Sequence, residues 1–318
     1  MILVTGGAGY IGSIVSEQLL AQGREVCVYD NLSRGHPDAI PPAAKFVEAD
    51  LADADRLRAT FRDFPIESVM HFAAYTLVGE SMEQPLLYFR KNFSNALGLL
   101  EATQQAGVER FVFSSTCAVY GDQVPVPISH GTPTNPINPY GEAKLAFEKA
   151  LEWSRRRQGL SYFALRYFNA CGATAERGER HDPETHLIPL VLNVAAGQVD
   201  HVRILGDDYP TPDGTCIRDY IHVLDLASAH ILALDAPPEL SGPYNLGTGK
   251  GDSVRAVIDT ARRVTGRDIE EVVAPRRPGD PPELVADSTR IQEKLGWAPK
   301  HDLESAIRSS WEFKLSRP

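Results

Sequence analysis

Short apolar runs alternate with amphipathic stretches through the first half of the chain. Ile2-Leu3-Val4 is one such run, followed by a glycine-rich turn and a helical stretch from Ser13 to Gln22. Glu25-Val26-Cys27-Val28-Tyr29 reads as a second strand, Phe46-Val47-Glu48-Ala49 as a third and Ser68-Val69-Met70-His71-Phe72 as a fourth. The periodicity predicts helices over 56–63 and 92–106 and a further strand at Arg110-Phe111-Val112-Phe113. Strands alternating with helices imply an α/β fold: a Rossmann-type, doubly wound parallel sheet with both faces covered. Ligands of such sheets bind outside the carboxyl ends of the strands, and Asp30, Asp50, Ala73 and Thr116 all fall on that edge.

After Asn169 the rhythm changes. Residues 172–185 are rich in Gly, Glu, Arg, Asp and Pro and read as a long loop, a feature more often functional than idle in a compact domain. His186 to Ala196 reads as an amphipathic helix and Val202-Arg203-Ile204-Leu205 as a strand. The expected organisation is a dinucleotide-binding domain with the catalytic residues over 1–172. A smaller α/β substrate-binding lobe follows over 173–318, the chain crossing back around 217–247.

Composition narrows the class. Of 318 residues, 43% are hydrophobic and 23% charged, which sets disordered and fibrous classes aside. The net charge of -10 argues against nucleic acid and against anionic membrane surfaces as partners. Cys27, Cys117, Cys171 and Cys216 lack metal-ligand spacing and read as buried free thiols of a reducing compartment. No metal site is assigned. No apolar stretch reaches bilayer length, and Met1-Ile2-Leu3-Val4 enters the glycine turn without the charged segment of a signal peptide, so a cytoplasmic location is expected.

The glycine turn carries the first candidate chemistry. Residues 7 to 12 satisfy G-x-G-x-x-G, and Gly6, Gly9 and Gly12 satisfy a wider spacing. Glycines there permit a tight turn, close approach to a pyrophosphate and close packing of helix on strand, while the helix N-terminus faces the anion. Asp30 ends the second strand 18 residues beyond Gly12, where a carboxylate accepts hydrogen bonds from a ribose diol, so NAD is expected over NADP. The alternatives are that Asp30 only caps a turn, or that the nearby Arg34 accommodates a 2′-phosphate.

A second constellation opens beyond Pro133, Pro136 and Pro139, where Tyr140-Gly141-Glu142-Ala143-Lys144 begins a helical run. Tyr140 and Lys144 sit one turn apart on one face. A phenol needs a shift of about 3 units, or about 4 kcal/mol, to act as a base near neutrality. An ammonium one turn away in a poorly solvated cleft supplies on the order of 4 kcal/mol. The same spacing also occurs on solvated helix faces. Thr116 adds a hydroxyl that can bridge a substrate proton to the tyrosine oxygen, or can simply satisfy local backbone. Arg218 and Arg277 can clamp a diphosphate bidentately, although each alone also reads as a surface residue.

Further blocks stand beside these: Asp30-Asn31-Leu32-Ser33, Val78-Gly79-Glu80-Ser81, Ser114-Ser115-Thr116 with Val119-Tyr120-Gly121, Asn138-Pro139-Tyr140, Arg166-Tyr167-Phe168-Asn169, Asp207-Asp208-Tyr209-Pro210-Thr211, Arg218-Asp219-Tyr220-Ile221-His222-Val223 and Tyr244-Asn245-Leu246-Gly247. With the glycine turn and the Tyr/Lys pair they make the chain resemble, over essentially its whole length, the extended short-chain dehydrogenase/reductase family. The Val78, Arg218 and Asp207 blocks resemble its 4-epimerase branch. The resemblance implies NAD-dependent 4-epimerisation of a UDP-hexose, with Tyr140, Lys144 and Thr116 catalytic. It implies NAD contacts from Gly6, Gly9, Tyr10, Ile11, Gly12, Asp30, Asn31, Asp50, Leu51, Phe72, Ala73, Ala74, Asn92, Ser114, Tyr140, Lys144 and Tyr167. The UDP-sugar would be met by Thr116, Tyr140, Asn169, His186, Leu187, Leu205, Arg218, Arg277, Asp280 and Leu284.

The family's usual active-site serine is Thr116 here, and His186 replaces an asparagine. Alignment on Arg277-Pro278-Gly279-Asp280 puts Leu284 at a position of variable size, which leaves N-acetylated sugars and pentoses open as substrates. A dehydratase is disfavoured because Cys117 and Ala118 stand where such relatives carry acids. A non-catalytic NAD(H) sensor is the reading from another class. The resemblance also implies a homodimer formed through helices 92–106 and 140–155.

Overall fold

The structure, a computed structural model, describes residues 1–122, 124–277 and 279–317, so Pro278 of the stretch quoted above lies outside the described residues. The apolar runs of the first half become strands β1 (Ile2–Thr5), β2 (Val26–Asp30), β3 (Lys45–Glu48) and β4 (Ser68–His71), followed by β5 (Arg110–Thr116) and β6 (Ser161–Tyr167). Every residue of β1, β2 and β4 is buried, as strands covered on both faces require. These strands form a seven-stranded sheet in the order Gly242–Leu246, β6, β5, β4, β1, β2, β3. The β1–β2, β1–β4, β2–β3 and β4–β5 pairs are parallel. The order reverses between β1 and β4, and the glycine turn leaves β1 at that switch point, where doubly wound sheets take their ligands.

The connecting helices are α1 (Tyr10–Ala21), α2 (Ala54–Asp63), α3 (Asn95–Gln105) and α4 (Pro139–Gln158). One sheet face packs Leu3, Tyr29, Val69, Phe111, Phe113 and Tyr162 against Leu99 of α3 and Phe147 and Leu151 of α4. Phe147 lies edge-on to Phe113 at 4.8 Å between centroids and to Phe111 at 5.8 Å. Burying a side chain of that size contributes about 1.5–3 kcal/mol. The expected helix over 92–106 is regular only from Asn95, because Phe89–Ser94 winds as a π-helical turn. Within that turn Asn92 is buried, donates to the Tyr75 carbonyl at 2.8 Å and accepts from the Tyr75 N–H at 2.7 Å. Propensity does not register such a tertiary bond.

The chain divides into two compact units, the first holding Met1–Gly121, Pro133–Arg166 and Ala227–Tyr244 and the second Asp122–Thr132, Tyr167–Leu226 and Asn245–Pro318. This division changes unit after Arg166 and returns Ala227–Tyr244 to the first unit. Asn169–Cys171 pairs with Tyr220–His222, and Ile128 bridges Ala286, so strand pairing draws both segments into the second unit. The core of that unit packs Ile188, Val191 and Leu192 of α5 (Leu187–Ala195) against Val202, Ile204, Val257, Ile258 and Ile307. Its short strands are Val202–Leu205 parallel to Glu271–Ala274, and Ile217–Arg218 between Asp252–Ser253 and Glu283–Leu284. No helix among the described residues is long and apolar enough to cross a membrane.

Candidate active site

Gly9 caps α1 without a side-chain bond, and no acidic residue lies in the first turn, so its N–H groups and positive dipole end are left for an anion. A side chain at Gly12 would bring a Cβ within 2.3 Å of the Gly6 carbonyl oxygen, which ties this close approach of helix to turn to glycine. Gly6, Gly9, Tyr10 and Ile11 are half-buried around it. The Asp30 carboxylate, at the end of β2, accepts from the N–H groups of Ala8 at 3.0 Å and Leu32 at 2.9 Å, so it braces the glycine turn while facing the same strand edge. Burial raises its pKa against the pull of those two hydrogen bonds. Arg34, the residue that left a 2′-phosphate open, reaches Glu80 at 3.2 Å and lies over the Tyr75 ring at 5.3 Å. These groups fit a pyrophosphate on the helix end and a ribose diol at Asp30.

Asp50 opposes Asn31 across the edge and accepts from its side-chain amide at 2.7 Å, from Lys91 at 3.0 Å and from the Ala52 N–H at 2.8 Å. Burial pushes its pKa up, but these bonds outweigh burial and hold the carboxyl below its usual range. Leu51 is buried beside it, and Phe72, Ala73 and Ala74 follow β4 half-buried.

The chemistry of α4 begins with its cap. Asn138 accepts from the Gly141 N–H at 2.8 Å and Pro139 takes the first helical position, where its missing N–H is not needed. At Gly141 a Cβ would stand 2.6 Å from the Ala118 carbonyl, so only glycine lets α4 start against the turn Cys117–Val119 that follows Thr116. Thr116 is buried and its hydroxyl oxygen accepts from the Ala118 N–H at 3.1 Å, which realises the backbone role and leaves its own proton to be donated.

One turn on from Tyr140, itself only 8% exposed, Lys144 is buried and donates to the Ser114 carbonyl at 2.8 Å. Its ammonium lies 5.9 Å from the Tyr140 ring centroid and 4.7 Å from that of Phe113. Burial pulls Lys144 down to about 7, opposed by the charge of Glu148 one turn further along. His71, next to it on β4, hydrogen-bonds Thr5 Oγ1 through Nδ1 at 2.7 Å and is driven to about 3 by burial and by Lys144, so it stays neutral.

Sequence reasoning missed the group that compensates this charge. Glu148 and Arg166 form a buried two-pronged pair, Nε to Oε1 at 3.0 Å and Nη2 to Oε2 at 2.5 Å. Ser115 donates to Glu148 at 2.5 Å, and Arg166 donates to the Tyr120 hydroxyl at 2.9 Å. The available signal was the continued spacing Tyr140, Lys144, Glu148.

In the second unit Arg277 donates twice to the Asp280 carboxylate, at 3.0 and 2.8 Å, and Arg218 approaches the same carboxylate at 3.5 Å. Leu284 pairs in register with Arg218, Leu205 pairs with Ala274 at the end of its strand, and Tyr167 and Asn169 are half-buried. His186 caps α5 ahead of Leu187, its Nδ1 2.8 Å from Glu179 and 2.9 Å from Glu184. Burial lowers its pKa, but those carboxylates outweigh burial and carry it up to about 10. This acidic surround was not read from the sequence, although Glu-x-His occurs twice, at 179–181 and 184–186.

A family model for the NAD dependent epimerase/dehydratase family matches residues 2–247. The chain belongs to that family. Among other members of this epimerase/dehydratase family, it is 49% identical to UDP-glucose 4-epimerase of Halalkalibacterium halodurans over all of this chain and 96% of the relative. It superposes on a crystal structure of a UDP-glucose 4-epimerase with a TM-score of 0.96 and 51% identity, covering all of this chain and 98% of the other. The Brucella ovis UDP-glucose 4-epimerase in complex with NAD gives a TM-score of 0.94 at 48% identity, over 98% of this chain and 97% of that one.

Proposed function

We propose that the protein is an NAD-dependent 4-epimerase of a UDP-hexose, interconverting UDP-galactose and UDP-glucose. The observation that carries the reading is the buried Lys144, fixed on the Ser114 carbonyl one turn from Tyr140, at the strand edge that also bears Thr116 and the glycine turn. NAD bound at the glycine turn and Asp30 supplies a hydride acceptor and donor, so that C4′ of the sugar is oxidised and then reduced on its other face.

The protein's own groups move the proton. Tyr140 as phenolate takes the proton of the 4′-hydroxyl, directly or through Thr116, and returns it after the sugar has turned. Lys144 in its cationic form favours the phenolate. The nicotinamide half would be met by Ser114, Lys144, Tyr167 and the small Ala73 and Ala74. Asn169, His186, Leu187, Leu205 and Leu284 would meet the UDP-sugar. Arg218 and Arg277 share a single carboxylate, Asp280, so the group keeps an excess of positive charge suited to a diphosphate.

Purified protein given UDP-galactose should form UDP-glucose, read by a coupled assay, without consuming added NAD. Tight NAD with no interconversion would favour the sensor reading instead. A parallel run with UDP-N-acetylgalactosamine sharpens the sugar assignment at Leu284.

We also infer a homodimer, supported by Trp153 on α4, which is 57% exposed; sedimentation should then give twice the chain mass. A cytoplasmic location is consistent with four cysteines that form no disulfide.

A further inference from the structure

Glu179, His181, Glu184 and His186 stand in one eight-residue stretch ahead of α5, and each turns a ligand-type atom toward a common point. The four atoms lie within 4.8 Å of one another. Glu179 Oε1 is 3.0 Å from His181 Nδ1 and 2.8 Å from His186 Nδ1 at once, and Glu184 lies 2.9 Å from His186 and 4.0 Å from His181. A four-coordinate zinc ion with bonds of about 2.0–2.1 Å separates its ligand atoms by about 3.3 Å, which falls between the shortest observed separation, 2.8 Å, and the 4.8 Å within which all four atoms lie.

We propose that this Glu-x-His-x-x-Glu-x-His stretch is a binding site for a divalent first-row transition ion of the zinc type. Two carboxylate side chains only 9% and 15% exposed face one another here, an arrangement that needs positive charge between them. Without an ion a protonated His186 supplies part of that charge; a divalent ion displaces its proton, neutralises both carboxylates and takes both imidazoles as neutral ligands. Two nitrogen and two oxygen donors suit zinc or cobalt, whereas calcium and magnesium favour all-oxygen sets. The support is firm on one side, since His186 caps α5 and Ile188, Val191 and Leu192 of that helix are core residues. His186 is also among the residues proposed to meet the UDP-sugar, so the test reads ion binding and melting without nucleotide or turnover, and its failure would leave the epimerase reading standing.

The test uses the full chain, stripped with a chelator and dialysed. Calorimetric titration with Zn2+ should show one equivalent bound per chain. Co2+ in its place should give the intense visible absorption of a four-coordinate ion. His181→Ala and Glu184→Gln should each weaken binding by more than about 100-fold, since even a residue behind the ligands costs about 10- to 100-fold. Circular dichroism checks that both variants fold. The unmutated chain supplies an independent reading, because an ion that binds the folded site raises the melting temperature. Zn2+ binding that is equally strong in the two variants marks scattered surface histidines and overturns the proposal. So does the absence of any melting shift in the unmutated chain.

Discussion

Two groupings of cations around a carboxylate, one in each unit, use the same chemistry and differ in how far an arginine of each meets water. On α4 and β6, Glu148 and Arg166 are 5% and 6% exposed, and Glu148 sits one turn from the buried Lys144. In the second unit the Arg277 side chain, which grips Asp280 in the same two-pronged way, is 62% exposed. The buried grouping lies on regular elements beside the Lys144 proposed to act with Tyr140, while the other follows a breaker-rich stretch and is suited to gripping a ligand. Burial makes the first expensive to disturb and shifts the proton affinity of Lys144. Water leaves the second near neutral in stability.

The sharpest break in the comparison comes at Tyr140, which the buried grouping serves. Tyr140→Phe keeps the ring and removes the proton acceptor, so kcat should fall by about 10²- to 10⁴-fold with unchanged far-UV circular dichroism. A variant with undiminished turnover would remove Tyr140 from the chemistry. Next in size is Glu148→Gln, which leaves Arg166 buried without its counter-charge. It should cost about 3–5 kcal/mol in urea unfolding, as breaking one side of a buried pair does. A loss below about 1 kcal/mol would put the pair on the same footing as Arg277 and Asp280.

The legible parts of the molecule are those that local rules govern. A glycine turn between a strand and a helix, Asp30 at a strand end and Tyr140 with Lys144 at helical spacing each follow from periodicities within a few residues. Glu148 was visible only as one more step of that spacing, and its partner Arg166 is 18 residues away on another element. The π-helical turn carries the bond between Asn92 and Tyr75, 17 residues apart. The return of 122–132 to the second unit depends on Ile128 meeting Ala286, and no window on the sequence contains both. Long-range pairings set these features, and a single sequence records them only as unremarkable residues.

The exposed grouping should behave differently when cut. Arg277→Ala removes the two bonds to Asp280, yet its stability should move by less than about 1 kcal/mol. If the guanidinium holds the diphosphate, KM for the UDP-sugar should rise about 10- to 100-fold, the worth of a charge-assisted hydrogen bond, with kcat retained. A fall in kcat at constant KM would move Arg277 from binding to chemistry and erase the contrast between the two groupings.

The effect that is smallest per pH unit is also the most diagnostic of burial. Lys144 is pulled to about 7 in the folded chain from an ordinary 10.5, with Glu148 raising it and the neutral His71 contributing no charge. Between those two values the unfolded chain holds a proton that the folded chain has lost. Stability due to this group must therefore rise as pH climbs from about 7 toward 10.5, and stay level below about 7, where both states are protonated. The slope is bounded at about 1.4 kcal/mol per pH unit for one proton. Urea unfolding across that window should show the rise in the unmutated chain and a flatter line in Lys144→Met. Arg277→Ala should leave the slope untouched, because a guanidinium keeps its proton throughout the window. Parallel lines for the unmutated chain and Lys144→Met would mean that the ammonium is solvated after all, and the lysine would then lack the dry surroundings through which it can act on Tyr140.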